Sequence, residues 1–174
     1  DVALQNGAKL SYALDVGYNQ LAWKLRQDPR VVVMERTNFR YSQPADFLEG
    51  LPEVATIDVS FISLKLILPP LHEILVAGGS VMALVKPQFE AGKEAVGKHG
   101  IVREATTHER VLQEISNFAL ETGFDVVDLA FSPITGGEGN IEFLLLLTKT
   151  EGTGHLSEKV NISEVVANAH ETLA

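Results

Sequence analysis

A chain of 174 residues, 45% hydrophobic and 21% charged, has the size and balance of one soluble globular domain with a substantial core. It has no cysteine, which excludes disulfides, thiolate zinc sites and cysteine nucleophiles and fits a cytoplasmic protein; no metal is called for. Fourteen basic against twenty-three acidic residues give a net charge of −9, so the chain is not one that grips a polyanion with its whole surface, and any nucleic-acid contact is expected to be local or supplied by a segment outside this chain.

The pattern alternates strand and helix, which predicts an α/β fold with a largely parallel sheet. Asp1–Asn6 followed by Gly7 reads as the last turn of a helix with its cap. Leu10–Val16 reads as a strand, Asn19–Gln27 as a short helix that stops before Asp28-Pro29, and Val31–Met34 as a buried strand. Phe39–Leu51 is loop-rich. Val54–Val59 is a strand, Ser63–Val76 is helical with Pro69-Pro70 restarting or kinking it, and Gly79–Lys86 is a strand. The longest apolar stretch, Ile74 to Val85, contains Gly78-Gly79 and falls short of the ~20 residues a membrane span needs.

Pro87–Arg103 reads as a long glycine-containing loop. Thr106–Thr122 is the clearest helix, with Val111, Ile115, Phe118 and Ala119 on one face and Gly123 closing it. Phe124–Phe131 and Ile141–Lys149 are strands joined by the turn Ser132–Asn140, which predicts an antiparallel hairpin at the sheet edge. Glu151–Glu158 is a polar linker, and Asn161–Leu173 a terminal helix with Asn161 and Glu164 in capping-box spacing. Residues 1–150 are thus expected to form the main domain and 151–174 a linker and helix. A doubly wound sheet starts with a strand and a glycine-rich turn, and this chain starts in what looks like the following helix. The expectation is that it is the retained part of a longer protein.

Three segments, VATIDVS, VMALVKPQFE and NIEFLLLL, each set a charged residue at or near the end of an apolar run: Asp58, Lys86 and Glu142. Charges are seldom buried unpaired, so these three are expected to meet. Such a cluster is either a structural ion pair or a site at which the lysine accepts a proton. Pro87 keeps Lys86 extended, which carries the strand to its mouth. Asp15, ending the strand of YALDVG, is placed either to accept hydrogen bonds from ribose hydroxyls or to cap the following helix. The loop after Lys86 holds Lys93, Lys98 and Arg103, so four basic residues from Lys86 to Arg103 face two acidic ones, Glu90 and Glu94. It is either a phosphate-contacting patch or a solvated loop. SPITGGEGN needs no role beyond a hairpin turn.

The segments DVGYNQLAWKLRQDPRVVVMERTN, IDVSFISLK, LVKPQFEAGKEAVGKHGIVR and SPITGGEGNIEFLL closely resemble the TlyA family, often labelled hemolysin A, within the FtsJ-like ribose methyltransferases. The resemblance covers roughly Asp1 to Lys149. It implies a Rossmann-like S-adenosyl-L-methionine-dependent methyltransferase fold and 2′-O-methylation of ribosomal RNA. FtsJ-like enzymes use a Lys-Asp-Lys-Glu tetrad, and Asp58, Lys86 and Glu142 match its last three members. The first lysine, the glycine-rich cofactor turn and the family's small basic RNA-binding domain would lie before Asp1. On this reading Lys86 is the base, and Asp58 and Glu142 orient it. Asp15, Val16, Thr37, Asn38 and Asp58 bind the cofactor, and Lys93, Lys98 and Arg103 bind ribosomal RNA or a ribosomal subunit. Cytosine C5 methylation would need a cysteine, and base-amine methylation usually shows Asn or Asp before Pro-Pro and an aromatic, where this chain has Val-Ser-Phe after Asp58. Two other readings stand beside it: an RNA-binding scaffold without catalysis, and a membrane-damaging hemolysin.

Overall fold

In the computed structural model, which describes residues 1–173, the alternating apolar runs resolve into two units, Asp1–Asp46 and a larger one from Phe47 onward. In the first, strands β1 (Ser11–Leu14) and β2 (Val31–Met34) pair in parallel, Ser11 opposite Val31 and Leu14 opposite Met34. Helix α1 (Val2–Gln5) precedes them, and Gly7, at φ 98°, turns the chain after it. Helix α2 (Trp23–Arg26) is shorter than the expected Asn19–Gln27. Asn19 sits in the left-handed region at φ 61°, which asparagine tolerates better than most residues. That φ takes it out of the helical region, and its N–H donates to the Glu35 carboxylate at 3.1 Å. Asp28 accepts from the Arg30 backbone N–H at 2.9 Å and from its guanidinium at 2.8 and 3.1 Å, and these bonds lower its pKa to about 2. Arg30 also reaches the Leu4 carbonyl at 3.3 Å, tying α1 to the start of β2.

The larger unit is a four-stranded sheet in the order β3 (Val54–Ile57), β4 (Ser80–Val85), β6 (Phe143–Lys149), β5 (Phe124–Phe131). β3 and β4 run parallel, and β6 runs against both β4 and β5. The expected hairpin therefore supplies the end of this sheet, with β6 inserted next to β4 and β5 outermost. Side chains alternate across a strand. Val81, Ala83 and Val85 of β4 and Phe143, Leu145 and Leu147 of β6 are all at most 1% exposed, whereas Met82, Leu84, Leu144 and Leu146 on the other face are partly open.

The buried core also takes Leu68, Leu71 and Ile74 of α3 (Leu68–Ile74), and Val111, Leu112, Ile115 and Ala119 of α4 (Ala105–Thr122). Pro69-Pro70 fall in the first turn of α3, where a missing N–H leaves no intrahelical bond unmade. Gly123, at φ 110°, supplies the left-handed cap of α4.

The segment read as a polar linker runs along the open edge of β5. Val126 N–H donates to His155 O at 3.0 Å, and Ser157 N–H to Val126 O at 2.9 Å. Helix α5 (Ile162–Leu173) follows, capped by Asn161, whose side chain accepts from Glu164 N–H at 3.1 Å. It meets α4 at a histidine pair. His108 is fully buried, and its Nε2 lies 3.1 Å from Val102 O. A carbonyl only accepts, so that nitrogen carries the proton. Nδ1 of the neutral ring then accepts from His170 Nε2 at 2.8 Å. Burial, and then His170, hold the His108 pKa down at about 4. Among the described residues no helix is long and apolar enough to cross a membrane.

Candidate active site

Register brings the three charged residues to one end of the larger sheet. β3 and β4 are parallel with Ile57 opposite Ala83, so the chain beyond Ile57 leaves beside the end of β4. Lys86 follows β4 directly and is extended, at φ −111° and ψ 99°, as its place before Pro87 requires. Its Nζ lies 2.6 Å from Asp58 Oδ1 and donates to Ser60 Oγ at 3.2 Å. The Lys86 side chain is only 13% exposed and that of Asp58 is 74% exposed. A pair with one partner so open to water contributes about 1 kcal/mol or less to stability. What it fixes is the position of the amine.

Glu142 arrives from the other side. The antiparallel register sets Phe143 opposite Val85, which brings Glu142 level with Lys86. Glu142 is 7% exposed, and its backbone carbonyl accepts from Ser132 N–H at 2.8 Å. The three expected partners are not equivalent, however: the ion pair of Lys86 closes on Asp58 and not on Glu142. The Glu142 carboxylate lies instead against Gly136 in the hairpin turn, so close that a Cβ there would stand 1.7 Å from Oε1. The glycine of SPITGGEGN at this position is the space the carboxylate occupies.

Asn140, buried in that turn, ties it to the basic loop. Its Oδ1 accepts from Val102 N–H at 3.0 Å, and its Nδ2 donates to Gly100 O at 2.9 Å and Gly137 O at 3.0 Å. Lys93, Lys98 and Arg103 are exposed along the loop, with His99 at φ 64°. Lys93, Gln88, Phe89 and Val96 contribute to the lining of a cavity of about 430 Å³ in this loop.

In the first unit, Asp15 follows β1, and its N–H donates to Met34 O at 3.0 Å. Its exposed carboxylate accepts from Gly17 N–H at 3.0 Å, a turn of its own chain rather than a helix cap. Val16 is 68% exposed. Thr37 N–H donates to Asp15 O at 3.0 Å, and Asn38 Oδ1 accepts from Arg40 N–H at 3.1 Å. Asp15, Thr37 and Asn38 thus share one set of strand-end turns.

Sequence reasoning passed over Glu35, which ends VVVME as Asp15 ends its own strand. Its carboxylate holds Asn19 N–H and pairs with Arg26. The strand-end rule applied to Asp15 reaches it as well. Ser60 and Glu90 were also passed over as site residues. Glu90 accepts from Ser63 Oγ at 2.6 Å and from Leu64 N–H at 2.8 Å.

Residues 1–149 match the family of FtsJ-like methyltransferases. A candidate rRNA methyltransferase of Bacillus subtilis, YqxC, is 63% identical over 176 residues, covering 99% of this chain and 62% of the relative. The 16S/23S rRNA (cytidine-2′-O)-methyltransferase TlyA of Mycobacterium tuberculosis is 43% identical over 152 residues, covering 87% of this chain and 56% of the relative. The chain therefore spans less than two thirds of the length of these curated relatives. A solved structure from Streptococcus thermophilus, described as a candidate hemolysin, superposes with a TM-score of 0.94 at 62% identity, covering 99% of this chain and 62% of that one. A candidate S-adenosylmethionine-dependent methyltransferase from Listeria monocytogenes shares the fold at a TM-score of 0.60 and 17% identity, covering 86% of this chain and 84% of that one.

Proposed function

Since this chain belongs to the FtsJ-like methyltransferase family, we propose that the full-length protein transfers a methyl group from S-adenosyl-L-methionine to a ribose 2′-oxygen of ribosomal RNA. The single observation that carries the reading is the Lys86 amine, largely withdrawn from solvent and held 2.6 Å from Asp58 at the carboxyl ends of two parallel strands. That is where ligands of open α/β sheets bind.

A ribose hydroxyl is a poor nucleophile, and its attack on carbon requires that its proton leave. Lys86 takes that proton as general base. Asp58 and Ser60 aim the amine, and Glu142 supplies a second carboxylate at the same level of the sheet. Lys93, Lys98 and Arg103 hold backbone phosphates of the RNA.

The residues of the first unit fit the cofactor's ribose. Asp15 is exposed and spends one hydrogen bond on its own turn, so a vicinal diol finds an acceptor there. Val16, Thr37 and Asn38 flank it. When bound, S-adenosyl-L-methionine supplies an electrophilic methyl on a good leaving group.

The test is Lys86→Met in the full-length protein, which keeps an unbranched apolar stem and removes the amine. Methylation of ribosomal RNA should fall ~10²–10⁴-fold or more with the fold intact. Lys86→Arg should fail equally, because a guanidinium is not deprotonated in proteins. A Lys86→Met protein with near-normal turnover ends this reading.

A further inference from the structure

Two segments leave neighbouring strands at the same end of the larger sheet: 58–64 after β3 and 86–90 after β4. Five contacts lace them together. Lys86 holds Asp58 at 2.6 Å and Ser60 at 3.2 Å. The rings of Phe61 and Phe89 stand 4.9 Å apart at 53°. Glu90 closes the far end, with Oε2 accepting from Ser63 Oγ–H at 2.6 Å and Oε1 from Leu64 N–H at 2.8 Å.

The turn between these anchors is not held by burial. Phe61 is 90% exposed and sits at φ 61°, a conformation that costs an aromatic residue of order 1 kcal/mol or more. The ring contact with Phe89 offsets part of that cost on an open surface, and the polar contacts at the two ends hold the turn in place. At one end is the proposed base. At the other is a half-buried carboxylate whose pKa is pushed up by desolvation and which makes both of its short contacts to this segment.

We infer that Glu90 is a positioning residue: by gripping Ser63 and Leu64 it sets the turn that presents Asp58 and Ser60 to the Lys86 amine. The inference rests on the reading of Lys86 as the base. A cap that merely starts the helical turn at Leu64 would act on stability alone. A positioning residue acts on turnover, because a misplacement of about 1 Å at a reacting group costs up to ~10²-fold.

The experiment compares Glu90→Ala, Glu90→Gln and Ser63→Ala in the full-length protein, with Lys86→Met alongside, by kcat, by KM for S-adenosyl-L-methionine and for ribosomal RNA, and by melting temperature. Glu90→Ala should lower kcat about 10–100-fold and leave both KM values within about three-fold. Glu90→Gln should return to within about three-fold of wild type, because its amide oxygen still accepts from Leu64 N–H and its NH₂ reaches Ser63 Oγ. Should Glu90→Ala fail to fold, Ser63→Ala decides: it keeps the Leu64 contact and should still lower kcat about 3–10-fold, with a small fall in melting temperature because Ser63 Oγ also accepts from Lys65 N–H at 3.1 Å. Wild-type kcat in Glu90→Ala, or in Ser63→Ala where that variant decides, overturns the inference. So does Glu90→Gln losing as much as Glu90→Ala. An inactive Lys86→Met beside a fully active Glu90→Ala removes the role of Glu90 and leaves the base in place. An active Lys86→Met removes both.

Discussion

Adding one methyl group at Gly136 separates the geometry of the site from the stability of the fold. The backbone there, at φ −81° and ψ −161°, accepts alanine without strain. The new Cβ would stand 1.7 Å from Glu142 Oε1 and 2.5 Å from its Cδ. Ordinary contact needs about 3.4 Å, so the carboxylate must retreat by roughly 1.5 Å or more. It is the far end of a flexible side chain, so the fold can absorb the move at about 1–2 kcal/mol. For a chain of this length that is a fall of about 2–8 °C in melting temperature.

Turnover should suffer more, by about 10²-fold, if the place of the Glu142 carboxylate matters to the reaction. Gly154→Ala is the contrast. Its Cβ would stand 1.7 Å from the Phe124 carbonyl oxygen and 2.3 Å from the carbonyl carbon, and backbone paired in a sheet yields less readily than the end of a side chain. That variant should lose about 3 kcal/mol or more and melt well below Gly136→Ala. Methyl transfer to ribosomal RNA and thermal melts of both full-length variants make the comparison. Near-wild-type turnover in Gly136→Ala would show that the reaction does not use Glu142 where it stands, and equal melting losses in the two variants would refute the packing argument.

Two further outcomes follow from the same geometry. The folded state keeps His108 neutral, with a pKa of about 4 against 6.5 for an unperturbed ring, so the unfolded chain binds the extra proton first. The stability this contributes is present above pH 6.5 and is lost as pH falls towards 4. After allowance for solvent screening it is on the order of 1–2 kcal/mol. His108→Phe should flatten the fall in melting temperature over that window, and an acid slope identical to wild type would refute it. On the basic loop, replacing Lys93, Lys98 and Arg103 with alanine should weaken RNA binding and flatten its dependence on salt, because fewer counterions are released, with cofactor affinity unchanged. A binding titration at several salt concentrations measures this, and an unaltered slope returns the loop to the solvent.

What could be read from the chain beforehand was mostly local. Val31–Met34 and Phe124–Phe131 are strands over the residues their β-branched and aromatic runs mark out. Helix α4 starts one residue early and ends at its glycine. The FtsJ-like family was legible too, from motifs long enough to be specific. What escaped was long-range pairing. Nothing in IDVSF says that Ser60 will receive the Lys86 amine, and nothing in KPQFE says that Glu90 will turn back to Ser63. Asn140 looked like the end of a turn, yet its side chain is spent on Val102 and Gly100. The helix expected from Asn19 failed because Asn19 takes the left-handed φ of 61°, and in that turn its N–H meets Glu35, sixteen positions away. Propensity speaks for neighbours along the chain, and each of these bonds depends on how two distant segments are laid side by side.

The direction of β6 has a consequence for how accurately the site is built. Its run FLLLL is apolar on both faces, so polarity gives no signal against a slip of one residue past β4. Shape does. Phe143, at 0% exposed, fits only the covered face, and a slip by one would turn its ring to the half-open side and replace it with a leucine. The same slip would rotate Glu142 to the opposite surface of the sheet. The steric parity of a hydrocarbon strand therefore dictates on which side of the molecule an acid at its threshold emerges, and the tolerance of the polar end is inherited from the fit of the greasy one.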